Sequence, residues 1–425
     1  MQPVPRHTTS ITGAPVRAEV VLDCDPDTDT SVNIDEGLVE PWELPDPLVF
    51  ADGTVVTAAT WPARRTEILH LFEDHVYGRT PEGELTVTSE EVESGPALEG
   101  VATRRQVRLV HMSNGATVEI EVLLYVPADA RGPVPVFLVP NFEGNHTVAH
   151  DREIILSAGV TRDCGDHPSQ RGSKAHRFPL TTIIGRGFGL ATFYSGDADP
   201  DVDDGFVHGP HRLYATAGQP EPAPCEWGTV GAWAWGCSRV LDHLVTEPSV
   251  DDDRVIVGGH SRLGKTALWA AAQDERFAAA FSNDSGCTGA ALSRRRFGEN
   301  VAVITALFPH WFCRNYRCYA NNEAALPVDQ HQLIALIAPR PVHVASATED
   351  QWADPLGEFL ATQAASSVYE LLGRSGLGIG SFPRAGGSSI GTVSYHLRDG
   401  PHELLEFDWL RYLDFAEGQV QGNRR

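Results

Sequence analysis

The chain has 425 residues, of which 42% are hydrophobic and 21% are charged, as in ordinary globular proteins. Acidic residues outnumber basic ones by 57 to 33, and the formal net charge is −24. Nucleic acids and anionic membranes bind basic surfaces, so this balance argues against both as partners. No apolar run is long enough to span a bilayer.

The amino-terminal stretch Met1–Ser10 lacks the apolar core of a signal peptide. A cytoplasmic location is therefore expected, and the alternative is a secreted or periplasmic protein whose leader has been removed. The seven cysteines are odd in number and are not closely spaced. This pattern favours free thiols over a disulfide framework or a zinc site.

The pattern of residues divides the chain into an amino-terminal extension, residues 1–55, and a single α/β catalytic domain, residues 56–425. The extension is rich in Pro, Asp and Thr and has little periodicity, and we expect it to pack on the core or flank it. A helix is predicted over Trp61–Tyr77, where apolar residues recur at helical spacing. Strand patterns follow at about 84–93, 101–111 and 116–126.

From Val134 onward, short continuous apolar runs are typical of strands buried on both faces. They lie at Val134–Val139, Gly189–Tyr194, Arg254–Gly258, Ala278–Ser282 and Pro341–Ala347. Helical patterns occur at Thr229–Val245, Thr266–Ala272, Gln330–Ala338 and Leu356–Leu372. Strands that alternate with helices predict an α/β fold with a mostly parallel sheet covered on both faces. The long connections at about 141–180 and 284–328 are expected to overhang the carboxyl ends of the strands.

An acidic run follows one of these predicted strands. It consists of Asp197, Asp199, Asp201, Asp203 and Asp204. Because aspartate favours turns, we interpret the run as a solvated loop rather than as a metal site.

The stretch Asp253–Ala270 passes from an apolar strand through a Gly-rich turn into an Ala- and Leu-rich helix, with Ser261 at the apex. Small residues around a serine in such a turn indicate a nucleophile elbow, which holds the hydroxyl clear of the backbone. The usual G-x-S-x-G pattern is broken, because Leu263 stands in the fifth position and Gly264 follows it. A phosphate-binding loop does not fit either, because Gly259–Thr266 is one residue short of the required spacing.

A serine nucleophile needs a base, and the base needs an orienting acid. In α/β hydrolases the three follow one another as serine, acid and histidine at the ends of successive strands. Asp350 comes just after the apolar run that ends at Ala347. His402 follows the last strand pattern, Thr392–Leu397, and is the predicted base, whereas His396 lies inside that strand and is expected to be a packed residue.

Two cations stand beside the serine. Arg262 and Lys265 are one helical turn apart on the predicted helix. The backbone N–H of Arg262 is expected to contribute to an oxyanion hole. For the two side chains, a pair that simply faces solvent is the alternative interpretation.

Beyond these single positions, an ordered set of motifs resembles the glucuronoyl esterases, carbohydrate esterase family 15, over roughly residues 60–415. The motifs are Gly259-His-Ser-Arg-Leu-Gly-Lys265, Asn283-Asp-Ser-Gly286, Ser293-Arg-Arg-Arg-Phe-Gly-Glu299, Phe308-Pro-His-Trp-Phe312, Leu326-Pro-Val-Asp-Gln-His331, Ala338-Pro-Arg-Pro341, Glu349-Asp-Gln-Trp352 and Gly400-Pro-His402. Fungal members have a disulfide-bonded cysteine before the serine. Here that residue is His260, as in bacterial-type members.

The resemblance implies an α/β-hydrolase fold and a serine esterase that needs no metal or other cofactor. The implied substrate is an ester of 4-O-methyl-glucuronic acid, as in the links between glucuronoxylan and lignin. By resemblance, Ser261 is the nucleophile, His402 is the base and the side chain of Arg262 assists the oxyanion. The residues that contact the sugar hydroxyls would be Lys265, Glu299 and Trp352.

The resemblance leaves two candidates for the acid that orients the histidine. Asp284 follows the predicted strand Ala278–Ser282, where the family often has a glutamate, and Asp350 follows the next strand. Aspartate is one methylene shorter than glutamate, so Asp284 would have to lie closer to the imidazole. We therefore predict Asp350 as the main acid and Asp284 as a second carboxylate.

Two other functions are compatible with the same residues. A sugar O-acetyl esterase, such as an acetylxylan esterase, would use the same triad with a different pocket. An inactive carbohydrate-binding protein would keep the sugar contacts and lack turnover. The expected partner in all cases is a carbohydrate, and a monomer is expected.

Overall fold

A ten-stranded sheet carries the fold. The computed structural model describes residues 20–22, 29–156, 170–215 and 222–421. In chain order the strands are β1 (Thr86–Ala97), β2 (Ala102–Ser113), β3 (Ala116–Pro127), β4 (Val134–Leu138), β5 (Gly189–Phe193), β6 (Val250–His260), β7 (Ala279–Asn283), β8 (Val342–Ala347), β9 (Ser388–Ser389) and β10 (Val393–Arg398). Across the sheet they lie in the order β1-β2-β3-β5-β4-β6-β7-β8-β10-β9.

Parallel pairing dominates the centre of the sheet. Strands β5, β4, β6, β7, β8 and β10 pair in parallel in that order. Strands β1, β2 and β3 form an antiparallel meander that continues onto β5, and the short β9 pairs antiparallel with β10. The predicted α/β-hydrolase fold with a mostly parallel sheet is therefore confirmed. Because parallel strands point the same way, the loops after β6, β7, β8 and β10 meet at one edge of the sheet.

Helices cover both faces of this sheet. The described helices are α1 (Trp61–His75), α2 (Leu180–Gly185), α3 (Ser195–Ala198), α4 (His211–Tyr214), α5 (Thr229–Leu244), α6 (Arg262–Gln273), α7 (Val301–Leu307), α8 (Gln330–Ala335), α9 (Pro355–Leu371) and α10 (Glu406–Ala416). Among the described residues, no helix combines the length and the apolar character that a bilayer span requires.

Alternate residues of the central strands belong to two buried clusters, one on each face. In β4, Val136 and Leu138 lie in the larger cluster, which also includes residues of α5, α6 and α9. Phe137 lies in the smaller cluster, together with residues of α2 and α10. Successive side chains of a strand point to opposite faces, so a strand covered on both sides is apolar without interruption, as the sequence pattern indicated.

Helix α6 begins one turn earlier than the sequence pattern predicted. The pattern placed its start at Thr266, whereas the structure begins it at Arg262. The carbonyl of Ser261 already accepts hydrogen bonds from the N–H groups of Gly264 and Lys265, at 2.9 and 3.3 Å. Strand β6 ends at the residue before Ser261, so a single residue forms the whole turn between strand and helix.

The prediction of free thiols is only partly correct. Within the described ranges, four buried cysteines form no disulfide, namely Cys225, Cys237, Cys287 and Cys313. Cys318, by contrast, is disulfide-bonded. A bond of this kind depends on which backbones the fold brings within about 7 Å, so the spacing of cysteines in the sequence could not reveal it.

The described part of the amino-terminal extension lies against the body of the protein. The carbonyl of Asn33 accepts a hydrogen bond from the N–H of Gly298 at 2.8 Å, and the carbonyl of Ser31 accepts one from the side chain of Asn300 at 2.9 Å. Glu36 forms an ion pair with the buried Arg295 at 2.5 Å. The extension therefore packs against residues 295–300 and supports their conformation. Its division from residues 56–425 stays a prediction.

Candidate active site

Ser261 occupies the one-residue turn between β6 and α6. Its backbone has φ 56° and ψ −130°, a conformation that costs a non-glycine residue roughly 1–3 kcal/mol. The turn is held by a hydrogen bond from the Ser261 N–H to the carbonyl of Asn283, at 2.8 Å. It also requires glycine at position 259, because a Cβ on Gly259 would lie 2.1 Å from the carbonyl oxygen of Leu263. This geometry is that of a nucleophile elbow.

His402 lies on the loop between β10 and α10, and it is paired with Asp350 at the end of β8. Its Nδ1 is 2.5 Å from Oδ2 of Asp350. The imidazole is 42% exposed, whereas the side chain of Asp350 is 4% exposed. A hydrogen bond from the N–H of Glu349 to the carbonyl of Gly400, at 2.9 Å, ties the two loops together. A carboxylate at Nδ1 favours the tautomer in which Nε2 is free to accept a proton.

His260 connects this pair to the elbow. It immediately precedes Ser261 in the chain, and its ring centroid lies 4.5 Å from that of His402. Burial lowers the pKa of His260 well below its ordinary value, and the positive charge of His402 acts in the same direction. A neutral ring, on the residue before the serine, therefore packs against His402.

Asp284 is close to the pair but is differently engaged. It follows β7, and its Oδ2 accepts hydrogen bonds from the Asn283 side chain at 3.0 Å and from the Glu403 N–H at 3.4 Å. Its Oδ1 is buried without a hydrogen-bond partner. Burial, and then the nearby negative charges of Glu358 and Asp350, raise the pKa of Asp284 well above its ordinary value. Within the described residues it makes no hydrogen bond to His402.

Asp284, Asp350 and His402 bring ligand atoms within 4.8 Å of one another. Two carboxyl groups and an imidazole are also a ligand set for divalent metals. Within the part of the chain that the structure describes, these three residues could hold such an ion. The expected independence from metal stays a prediction.

The acidic run after β5 is not the solvated loop that its composition indicated. Asp199 and Asp201 are buried, with 2% and 8% exposure. Oδ2 of Asp201 lies 3.2 Å from Nε of Arg262. Oδ1 of Asp201 accepts hydrogen bonds from His310 at 3.0 Å and from Trp311 at 2.6 Å. The prediction was wrong for these two aspartates because partners far away in the sequence bury them.

The two buried aspartates of this run are in opposite protonation states near neutral pH. Burial raises the pKa of Asp199 to about 8, although a hydrogen bond from Thr229 opposes the shift. Burial also acts to raise the pKa of Asp201, but the hydrogen bond from His310 and the charge of Arg262 outweigh it and hold the pKa below its ordinary value. Asp199 is therefore mostly neutral and Asp201 is charged.

Lys265, Glu299 and Trp352 come together on the other side of the elbow. Nζ of Lys265 donates to the carbonyl of Ser285 at 2.5 Å and lies 3.6 Å from Oε2 of Glu299. Burial raises the pKa of Glu299, and the charge of Lys265 opposes that shift. The N–H of Glu299 donates to the carbonyl of Trp352 at 2.8 Å, and Trp352 keeps 45% of its surface exposed. The structure thus joins three residues that the sequence placed on separate segments.

The sequence analysis missed three residues beside Arg262, namely Asp201, His310 and Trp311. One signal was available for Asp201, because it lies shortly after the carboxyl end of a central strand, where α/β proteins place their sites. The histidine and the tryptophan stand in the motif Phe308-Pro-His-Trp-Phe312, which contributes to the family resemblance, but nothing in the sequence indicated that they contact Asp201.

With this geometry, the relatives of the chain are informative. A family model described as "Glucuronyl esterase, fungi" matches residues 222–373. A carbohydrate esterase of an unknown prokaryotic organism is 46% identical over 401 residues, and the match covers 92% of each chain. The chain belongs to carbohydrate esterase family 15.

Solved structures of this family agree with the fold described above. A promiscuous family 15 esterase from a marine bacterial metagenome is 44% identical, with a TM-score of 0.85 over 92% of this chain and 100% of that one. The glucuronoyl esterase of Solibacter usitatus is 42% identical, with a TM-score of 0.85 over 90% of this chain and 100% of that one. The 4-O-methyl-glucuronoyl methylesterase 1 of Wolfiporia cocos is more distant, at 27% identity over 78% of this chain and 72% of its own.

The two acids of this esterase can be separated by isosteric substitution. Asp350→Asn should lower kcat by up to about 10⁴-fold, the loss found when the triad acid of another hydrolase becomes an amide, because the tautomer of His402 is no longer fixed. Asp284→Asn should cost clearly less, because that carboxyl group does not bond to the imidazole. Steady-state rates of both variants on one ester check the order, and the reverse order would identify Asp284 as the acid.

The neutral state of Asp199 predicts a pH-dependent cost to the stability of the esterase. An unfolded aspartate has its ordinary pKa of 3.8, whereas the folded value is about 8. Between these values the unfolded chain releases a proton that the folded protein keeps, so rising pH favours unfolding. Asp199→Asn removes this cost, and its stabilising effect should grow by up to about 1.4 kcal/mol for each pH unit between pH 5 and pH 8.

Denaturant unfolding at pH 5 and at pH 8 measures this effect. The matched control is Asp203→Asn, at an exposed position of the same run, and it should change stability little at either pH. A gain for Asp199→Asn that is equal at both pH values would contradict a neutral Asp199.

Proposed function

We propose that the protein hydrolyses esters of glucuronic acid and 4-O-methyl-glucuronic acid through an acyl-enzyme on Ser261. The observation that carries this proposal is the position of the Lys265–Glu299 pair one helical turn from a strained serine with a His402–Asp350 pair beside it. The Lys265–Glu299 pair can hydrogen-bond to the hydroxyls of a sugar. The serine with its histidine and aspartate can hydrolyse an ester. Relatives named as 4-O-methyl-glucuronoyl methylesterases support the same substrate class.

Acylation begins with proton transfer from Ser261. Because Nδ1 of His402 faces Asp350, Nε2 takes the proton of the serine hydroxyl as Oγ attacks the ester carbonyl. The carbonyl π electrons move to oxygen and form a tetrahedral oxyanion. Its collapse breaks the bond to the alcohol, which leaves with the proton from Nε2, and the uronyl group stays esterified to Ser261.

The oxyanion is stabilised by Arg262 in two ways. Its backbone N–H is at the first position of α6, where helical N–H groups have no partner within the helix. Its guanidinium keeps 25% of its side-chain surface exposed, and it carries a full charge that the low polarity of the site makes more effective. Both groups act on charge that develops only in the transition state.

Deacylation repeats these steps with water. His402 takes a proton from the water molecule through Nε2, and the resulting hydroxide attacks the uronyl carbonyl. The proton then passes to Oγ of Ser261 as the acyl bond breaks. The products are the alcohol and glucuronic acid, which loses its proton to solvent and becomes glucuronate, and the enzyme returns to its starting state.

Recognition of the sugar falls to Lys265, Glu299 and Trp352. An ammonium has three donors, of which one is used by Ser285 and one is directed toward Glu299, so one remains for a hydroxyl. Glu299 supplies acceptors, and the exposed Trp352 offers a flat apolar face for a sugar ring or the alcohol. In glucuronoxylan, the alcohol would be part of lignin.

We also propose that the protein folds in an oxidising compartment. It would then be secreted or periplasmic, which is the alternative to the cytoplasmic location in the sequence analysis. The support for this location is the disulfide of Cys318, since disulfides persist mainly in such compartments. A polymeric plant substrate would be encountered in the same place.

Activity on matched esters tests the function. Benzyl or methyl glucuronate should be turned over, and Ser261→Ala should lower kcat by at least about 10⁴-fold. Ser388→Ala, at an exposed position of the edge strand β9, is the matched control and should keep full activity. Release of acetate from acetylated xylan without turnover of glucuronate esters would instead identify a sugar O-acetyl esterase, and no turnover of either would leave a binding protein.

Substrate specificity should depend on Lys265. Lys265→Met keeps the buried stem and removes the charge, so kcat/KM on a glucuronate ester should fall by about 1–3 kcal/mol in transition-state stabilisation. An aryl acetate, which has no sugar hydroxyls, should be affected much less. The control is Lys174→Met, at the chain's other lysine. An equal loss on both esters would mean that Lys265 supports the elbow and not the sugar.

A further inference from the structure

We infer that Asp201 is a positioning residue that fixes the guanidinium of Arg262 for the oxyanion. The inference rests on the proposed function, because it gives Arg262 a role in the transition state. Asp201 belongs to the acidic run after β5, and Arg262 is the first residue of α6. The ion pair between them, at 3.2 Å, therefore joins the elbow to a different strand end.

The carboxylate of Asp201 is held from one side by two side chains. One oxygen accepts hydrogen bonds from Nε2 of His310 at 3.0 Å and from Nε1 of Trp311 at 2.6 Å. The other oxygen lies 3.2 Å from Nε of Arg262, at ion-pair distance, although Nε itself is buried without a hydrogen-bond partner among the described residues. The attraction between the held carboxylate and the guanidinium restrains the position of the guanidinium.

The two donors are themselves anchored to a helix. The first N–H groups of α5, those of Thr229 and Val230, donate to the carbonyls of His310 and Trp311 at 2.9 and 3.1 Å. The close approach depends on Gly228, where a Cβ would lie 2.6 Å from the carbonyl carbon of Trp311. The support for Asp201 is thus part of the core and not of a surface loop.

Contacts with Asp201 and with two aromatic rings hold the side chain of Arg262 and leave its terminal nitrogens available. Nε faces Asp201, and the guanidinium carbon lies 4.6 Å from the ring centre of Phe142 and 6.0 Å from that of Trp233. Within the described residues, neither terminal nitrogen donates a hydrogen bond to protein. The four N–H groups on these two nitrogens therefore remain available to donate hydrogen bonds. An oxyanion donor needs such unused N–H groups.

At position 201 the negative charge can be removed without changing the backbone conformation. Its φ is 56°, a left-handed conformation that asparagine adopts readily. In Asp201→Asn the amide oxygen still accepts from Trp311 and His310, so the fold is kept while the charge opposite Arg262 is lost. We expect kcat on a glucuronate ester to fall roughly 10-fold or more, part of the loss that follows removal of an oxyanion donor, with KM and the melting temperature nearly unchanged.

A double-mutant cycle with Arg262→Ala separates positioning from a structural role. If Asp201 acts through Arg262, Asp201→Asn should cost less than about twofold in the Arg262→Ala background. Asp203→Asn, at an exposed position of the same run, is the matched control and should keep wild-type kcat. Equal factors in both backgrounds, or a loss no larger than that of the control, would overturn the inference.

A second variant keeps the test decisive if Asp201→Asn does not fold. Trp311→Phe removes one donor to Asp201 and keeps an aromatic ring stacked on Phe308. It should lower kcat less than Asp201→Asn does, and its effect should also vanish in the Arg262→Ala background.

If the wild-type protein does not turn over glucuronate esters, the proposed function fails by itself, and the same cycle run on an aryl acetate still tests the coupling between Asp201 and Arg262.

Discussion

Between the end of β6 and the start of α6 there is one residue, Ser261, and its N–H is held by the carbonyl of Asn283 at the end of β7. This hydrogen bond joins two neighbouring strands at the point where both leave the sheet. The positive φ of Ser261 persists because strand, helix and neighbouring carbonyl all constrain it. The direction of α6, and with it the positions of Arg262 and Lys265, follows from that one turn.

Burial then gives chemically identical groups different states. Asp350 bonds to the imidazole of His402, whereas burial and neighbouring carboxylates raise the pKa of Asp284, one strand away. The same contrast recurs between Asp199, which is buried without a cation, and Asp201, which faces Arg262. Burial acts to raise the pKa of Asp284, Asp199 and Asp201 alike, and among these three it is outweighed at Asp201 by the hydrogen bond from His310 and the charge of Arg262.

The sequence could predict the parts of the site that depend on topology. A parallel sheet brings successive strand ends together, so serine, acid and histidine on three such ends were expected to meet. What the sequence could not supply is burial by distant partners. Five closely spaced aspartates have the composition of a solvated loop, and only the folded chain places His310 and Trp311 over Asp201. The disulfide of Cys318 was missed for the same reason.

The amino-terminal extension has a consequence for the boundaries of the catalytic unit. Asn33 and Ser31 bond to Gly298 and Asn300, the two neighbours of Glu299 in the chain. Residues that the composition set apart as an appendage thus form the outer wall of the segment that carries a sugar contact. A fragment trimmed at residue 55 would keep the nucleophile and its base but lose that wall. The smallest unit that keeps the segment around Glu299 supported therefore includes the extension.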